Sequence, residues 1–193
     1  MKALCINGVD SNGEHNIDIL GGKLENLGHE HIDCNYRITR LFRFQTYDQG
    51  RQFEDAQYIG RNYYDLNNCT PEDTILIGHS RGGLVAWRML ELGYRFKAVF
   101  LFRPAMNKDF ILPRGQDNVY CIHSPHDKAI KWGSYLPFND FGDAGRYGLD
   151  DERVINVEAP EYDNADFLRH SEDFLEPQVT NWARYIDRKL ELL

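Results

Sequence analysis

The sequence predicts an α/β fold, a mostly parallel sheet of about six strands with helices on both faces. Three observations carry this. Six short, near-continuously apolar runs recur along the chain, as expected of strands buried on both sides. Segments with apolar residues at helical spacing stand between several of them. One junction, "TILIGHSRGGLVAW" (74–87), passes from strand to helix with no turn.

Taken in order, "KALCIN" (2–7) reads as a buried strand. Asn16 is placed as an N-cap, Ile17, Leu20, Leu24 and Leu27 follow at helical spacing, and Gly28 is a natural stop. "EHIDCN" (30–35) is the second strand. Residues 36–47 show no clean period and read as loop. From Asp48 to about Asn67 the pattern is helical, with Phe53, Ala56, Ile59, Tyr63 and Leu66 on one face. Pro71-Glu72-Asp73 turns the chain into the strand 74–79, and a helix from Arg81 to Leu92 is closed by Gly93. "KAVFLF" (97–102), "NVYCIH" (118–123) and "RVINVE" (153–158) complete the strands. The last helix runs from about Pro177 to Leu190, with Val179, Trp182, Ile186 and Leu190 on its apolar face.

No repeat, low-complexity tract or linker divides the 193 residues, so a single domain over 1–193 is expected. The formal net charge of −8 argues against a nucleic-acid backbone as partner. The apolar stretch at the N-terminus is too short for a signal core or a membrane span. Cys5, Cys34, Cys69 and Cys121 are scattered without zinc-ligand spacing, which reads as free buried thiols in a reducing compartment, the cytoplasm. His29-Glu30-His31 could offer a metal two ligands, but no third is apparent, and a structural role is the plainer reading.

In a parallel sheet, ligands sit beyond the carboxyl ends of the strands. Gly78-His79-Ser80-Arg81-Gly82 lies at such an end and fits G-x-S-x-G. A strand that enters a helix without a loop forces its junction residue into a strained conformation and lifts its side chain above the sheet. Small flanking residues let the two backbones crowd together. A serine hydroxyl so placed needs an imidazole as base, and the imidazole needs a carboxylate to orient it. The expected order, Ser then acid then His, selects Asp127, four residues past a strand end, over Asp109. It likewise selects His170, before the last helix, over His15, His79, His123 and His126. Oxyanion donors are expected from the backbone N–H of Arg81 and, in the loop after the first strand, "INGVD" (6–10), from that of Val9.

On these motifs, "INGV", "GHSRGG", "HSPHD" and "RHSEDFL", the chain resembles the α/β-hydrolase superfamily in its minimal, single-domain esterase and lipase form. The similarity spans nearly the whole chain. It implies Ser80 as nucleophile, His170 as base, Asp127 as acid, the Val9 and Arg81 amides as oxyanion hole, and a sheet lacking the first two strands of the full fold. Asn7-Gly8 departs from the His-Gly common in the family. The implied activity is hydrolysis of a small-molecule carboxylic ester through an acyl-enzyme, with no cofactor and no metal. Thioesterase, peptidase and acyltransferase chemistry use the same triad, and a hydrolase-like binding protein is the non-catalytic alternative.

Substrate clues are thinner. Arg37, Arg40, Arg43, Arg81 and Arg103 recur on the catalytic edge and suggest a basic mouth for an anionic ester, with ordinary salt bridges as the rival reading. Residues 131–150 form a long connection whose Trp132 and Tyr135 are candidate substrate contacts, alongside Phe138, Phe141 and Tyr147.

Overall fold

The computed structural model describes residues 1–8, 16–34, 49–133, 141–161 and 170–193. Six strands form one sheet: β1 (Lys2–Ile6), β2 (Glu30–Asp33), β3 (Thr74–His79), β4 (Ala98–Phe102), β5 (Val119–His123) and β6 (Val154–Glu158). Their spatial order is β2-β1-β3-β4-β5-β6, and every pairing is parallel. The helices are α1 (Asn16–Glu25), α2 (Gln49–Ile59), α3 (Arg81–Glu91), α4 (Lys128–Gly133), α5 (Ala144–Tyr147) and α6 (Gln178–Leu190).

Alternation along the strands divides the core into two apolar layers. Leu4, Ile6, Leu76, Val99, Leu101, Val119 and Cys121 face one way, against α2 and α3. Ala3, Cys5, Ile75, Ile77, Phe100, Phe102 and Ile122 face the other, against α1 and α6. Both faces being covered is why the strands read as unbroken apolar runs rather than as alternating ones. The four cysteines are free and buried in these layers. No helix among the described residues is long and apolar enough to cross a membrane.

The chain adds β2 outside β1 and then returns to lay β3 on the other side of β1. The strand order therefore reverses between β1 and β3, and the crevice at their carboxyl ends is where this architecture binds ligands. Asn7-Gly8 and Ser80 follow those two ends, with Ile6 in register with Gly78.

The element reading from sequence needs correction in two places. The helix expected from Asp48 to Asn67 is α-helical only as far as Ile59 and continues as a π-helix over Gly60–Asp65. The wider turn moves the buried position from Tyr63 to Tyr64 and leaves Leu66 72% exposed. Packing accounts for it: a Cβ at Gly60 would collide with the Tyr94 ring, and the Tyr64 hydroxyl donates to the Arg95 carbonyl at 3.0 Å. The connection 131–150 is not plain loop, since its ends carry α4 and α5. In the turn before β6, Asp151 accepts from the Leu112 N–H at 2.8 Å and from Arg153, and the Arg153 hydrogen bond holds its carboxyl well below the usual range. Residues 36–47 and Tyr135 and Phe138 lie outside the described residues.

Candidate active site

Ser80 sits between β3 and α3 with φ 56° and ψ −123°, a conformation that non-glycine residues rarely adopt. Several contacts hold it there. The Ser80 N–H donates to the Phe102 carbonyl at 3.0 Å, and the Ser80 carbonyl accepts from the N–H groups of Gly83 and Ala105, each at 3.0 Å. The glycines explain how the backbones come so close. A Cβ at Gly78 would lie 2.7 Å from the Gly82 carbonyl oxygen, and one at Gly83 would lie 2.8 Å from Pro104 Cβ. At Gly82 it would collide with the Ile6 carbonyl and come within 2.6 Å of that of Asn7. Gly8 faces the serine directly, since a Cβ there would be 2.9 Å from Ser80 Cβ.

The other two residues singled out by chain order meet each other. His170 Nδ1–H donates to Asp127 Oδ2 at 2.6 Å, although 43 positions separate them. Asp127 is buried beyond the end of β5. Its Oδ1 accepts the Ile130 N–H at 2.9 Å, so the acid also caps the start of α4. The pairing fixes the tautomer: with Nδ1 protonated, Nε2 is left as the basic nitrogen.

His79, the residue before Ser80, meets this pair. Its Nε2–H donates to the His170 backbone carbonyl at 3.1 Å, and the two imidazole rings lie 4.8 Å apart between centroids. His170 is thus anchored against the residue that immediately precedes Ser80. Among the described residues no hydrogen bond joins the Ser80 hydroxyl to His170. Such contacts commonly tighten only when substrate is bound. This role of His79 is not evident from sequence, where its place inside the glycine motif is the available signal.

Burial pushes the His79 imidazole well below the ordinary histidine pKa, with the charges of His170 and Arg103 acting in the same direction. A neutral native histidine whose unfolded form protonates below about pH 6.5 makes acid favour the unfolded state. Stability is therefore expected to fall as pH drops from 7 to 5. The fall should be shallower in His79→Gln, which removes the titrating group while an amide can still donate to the His170 carbonyl. Thermal denaturation of both proteins across that range checks this, and parallel curves would contradict it.

Of the oxyanion candidates, Arg81 opens α3, where first-turn amides have no intrahelical acceptor. Val9 lies outside the described residues. The basic mouth is not formed by Arg81 and Arg103. The Arg81 side chain is buried and donates to Asp55 Oδ2 on α2 at 2.5 Å, and Arg103 is fully buried among carboxylates. Both turn inward because each has an acidic partner beneath the sheet edge, so neither is a surface contact for substrate. Arg37, Arg40 and Arg43 lie outside the described residues. Trp132 is 65% exposed on α4, five positions beyond Asp127.

The rival site residues lie elsewhere. Asp109 is exposed in a turn. His123 Nδ1 meets the Arg146 carbonyl at 3.2 Å, and His126 is exposed 3.9 Å from Glu161. His15 lies outside the described residues. His29 meets Asp187 at 3.0 Å and His31 stands 3.7 Å from Asp18, so each ties two structural elements together.

No protein-family model matches the chain, and no curated protein matches it either. Solved structures do match. A protein of Xanthomonas campestris pv. campestris assigned to the alpha/beta hydrolase superfamily is 19% identical with a TM-score of 0.57, over 100% of this chain and 99% of that one. YahD, solved with malic acid, is 15% identical with a TM-score of 0.64, over 97% and 92%. An esterase of Pyrobaculum calidifontis is 15% identical with a TM-score of 0.54, over 97% and 76%.

Proposed function

We propose that this chain, which has the α/β-hydrolase fold, is a serine hydrolase acting on small carboxylic esters through an acyl-enzyme. One observation carries the reading. The strained serine at the sheet's reversal point directly follows His79, whose ring meets the backbone carbonyl of His170, and His170 is paired with a buried carboxylate. The esterase and hydrolase neighbours support the reaction class by fold alone.

In this mechanism Ser80 Oγ attacks the ester carbonyl carbon while its proton passes to His170 Nε2. Asp127 stays ionised and stabilises the resulting imidazolium through the Nδ1–H bond. The backbone N–H of Arg81, at the positive end of α3, receives the developing oxyanion, with Val9 as the second donor. The imidazolium then protonates the departing alcohol. Water, deprotonated by the same imidazole, attacks the acyl carbonyl and releases the acid with Ser80 restored. No step calls on a cofactor, and Trp132, exposed on α4, is our candidate for a contact with the acyl or alcohol side.

The test is a panel of p-nitrophenyl esters of graded acyl length, with a thioester and an anilide beside them, run on wild type and Ser80→Ala. Ester turnover that disappears in Ser80→Ala supports the reading. Turnover of the thioester or anilide alone would move the substrate class. Ester turnover that survives the substitution would remove Ser80 from the chemistry.

A further inference from the structure

We propose that Arg103 is a positioning residue of this site: its buried guanidinium holds the turn that follows His170 by a hydrogen bond to Asp173 and places a positive charge beside Asp127, so that it sets the charge the His170–Asp127 pair experiences. The inference rests on the reading of Ser80, His170 and Asp127 as a catalytic triad.

Arg103 directly follows β4. Its backbone turns at φ 44°, and its N–H donates to the Ile122 carbonyl of β5 at 2.7 Å. That turn carries the side chain under the site, where it has 0% exposure. Nε–H donates to Asp173 Oδ2 at 2.6 Å. Nη1 stands 4.0 Å from Asp127 Oδ2, and Nη2 stands 3.8 Å from Glu172 Oε2. Asp173 Oδ1 in turn accepts the Trp182 indole N–H at 3.1 Å, which joins the cluster to α6. One guanidinium therefore spans the ends of β4 and β5 and the short 3₁₀ turn Glu172–Phe174, two residues beyond His170.

The acid's Oδ2 is the oxygen that accepts from His170. The contact with Arg103 is too long for a hydrogen bond, so it acts as a charge rather than as a tether at that atom. A buried cation is costly unless carboxylates surround it, and here three do. Burial works against the guanidinium's charge, but Asp173, Asp127 and Glu172 outweigh it and hold the group protonated more firmly than an ordinary arginine.

Two consequences follow from the sign of that charge. A buried cation 4.0 Å from Asp127 attracts negative charge and repels further positive charge at the pair. Among the described residues, His79 of β3 packs on the His170 ring and Arg103 after β4 stands beside Asp127, with Glu172 and Asp173 of the 3₁₀ turn around Arg103. Removing the positive charge should raise the pH below which the base is lost. Removing a negative charge from Asp173 should lower it.

The experiment is the rate of covalent labelling by a fluorophosphonate between pH 4.5 and 8, for wild type, Arg103→Met, Arg103→Lys and Asp173→Asn. Folding of each is checked by thermal denaturation. The acid limb is expected to move up by about one pH unit in Arg103→Met and down in Asp173→Asn. In Arg103→Lys the limb should stay near its wild-type place. Its plateau rate should fall about tenfold, because a point charge cannot span three carboxylates as a planar fork does. If Arg103→Met fails to fold, the other two variants decide. Limbs that coincide with wild type in Asp173→Asn, together with an unchanged plateau in Arg103→Lys, would make Arg103 a structural residue only and overturn the inference. Wild type that is not labelled at all would overturn the triad reading, and the inference with it.

Discussion

His170→Ala is expected to lower ester hydrolysis by about 10⁶-fold, as is Ser80→Ala, and Asp127→Ala by about 10⁴-fold. The order follows from what each group does. Without the imidazole the serine hydroxyl has no base and the leaving alcohol no acid, so nucleophile and base fail together. Without the carboxylate, the imidazole keeps its chemistry but loses the partner 2.6 Å away that fixes its tautomer. The signature of a unit is non-additivity: the Ser80→Ala/His170→Ala double variant should be no slower than either single one. Single-turnover rates on one p-nitrophenyl ester, with thermal melts to show that each variant folds, are the measurement. Losses that multiply would mean that the two residues act independently.

Gly82→Ala should destabilise the protein by about 3 kcal/mol or more, whereas Gly22→Ala should stabilise it by about 0.5–1 kcal/mol. Both glycines lie in helices, so helix propensity alone predicts the same favourable change for both. Their surroundings differ. A Cβ at Gly22 meets nothing within 4 Å, but one at Gly82 would run into the Ile6 carbonyl and come within 2.6 Å of the Asn7 carbonyl oxygen. Those obstacles are backbone at the end of β1, which is paired on both sides, so they cannot rotate away as a flexible side chain would. Relief would require α3 to move off the sheet, taking Ser80 and the Arg81 amide with it. Urea denaturation of both variants measures the contrast, and equal effects at the two positions would contradict the close packing of α3 on β1.

Much of this architecture is legible in the sequence because burial on both faces writes itself plainly. Strands such as Ile75–Ile77 and Val99–Phe102 are fully buried, and so they read as unbroken apolar runs. The elbow is legible for a steric reason: Gly78 is demanded by the backbone of Gly82 and Gly83 a turn later, and Gly82 and Gly83 by the close approach of α3 to the ends of β1 and β4 that any such junction requires. The π-helical turn after Ile59 is not legible, because its cause is Tyr94, some thirty residues away and visible only once α2 packs. The arginines mislead for the same reason. Arg81 and Arg103 stand at the right sheet edge, but their partners Asp55 and Asp173 lie 26 and 70 positions away, and only the fold shows that the side chains turn inward. His79 lies between these cases, conspicuous in its motif yet given its role by a carbonyl 91 positions distant.

The central claim is that Ser80 is a nucleophile activated by His170. The most direct measurement is the site and histidine dependence of reaction with a fluorophosphonate. The Ser80 oxygen would form a bond to phosphorus, fluoride would leave, and the hydroxyl proton would pass to His170. Peptide mass spectrometry of the treated protein should show the phosphonyl adduct on Ser80 alone, and His170→Ala should leave that peptide unmodified under the same exposure. An adduct on another residue, or equal labelling of Ser80 with and without the imidazole, would contradict the account.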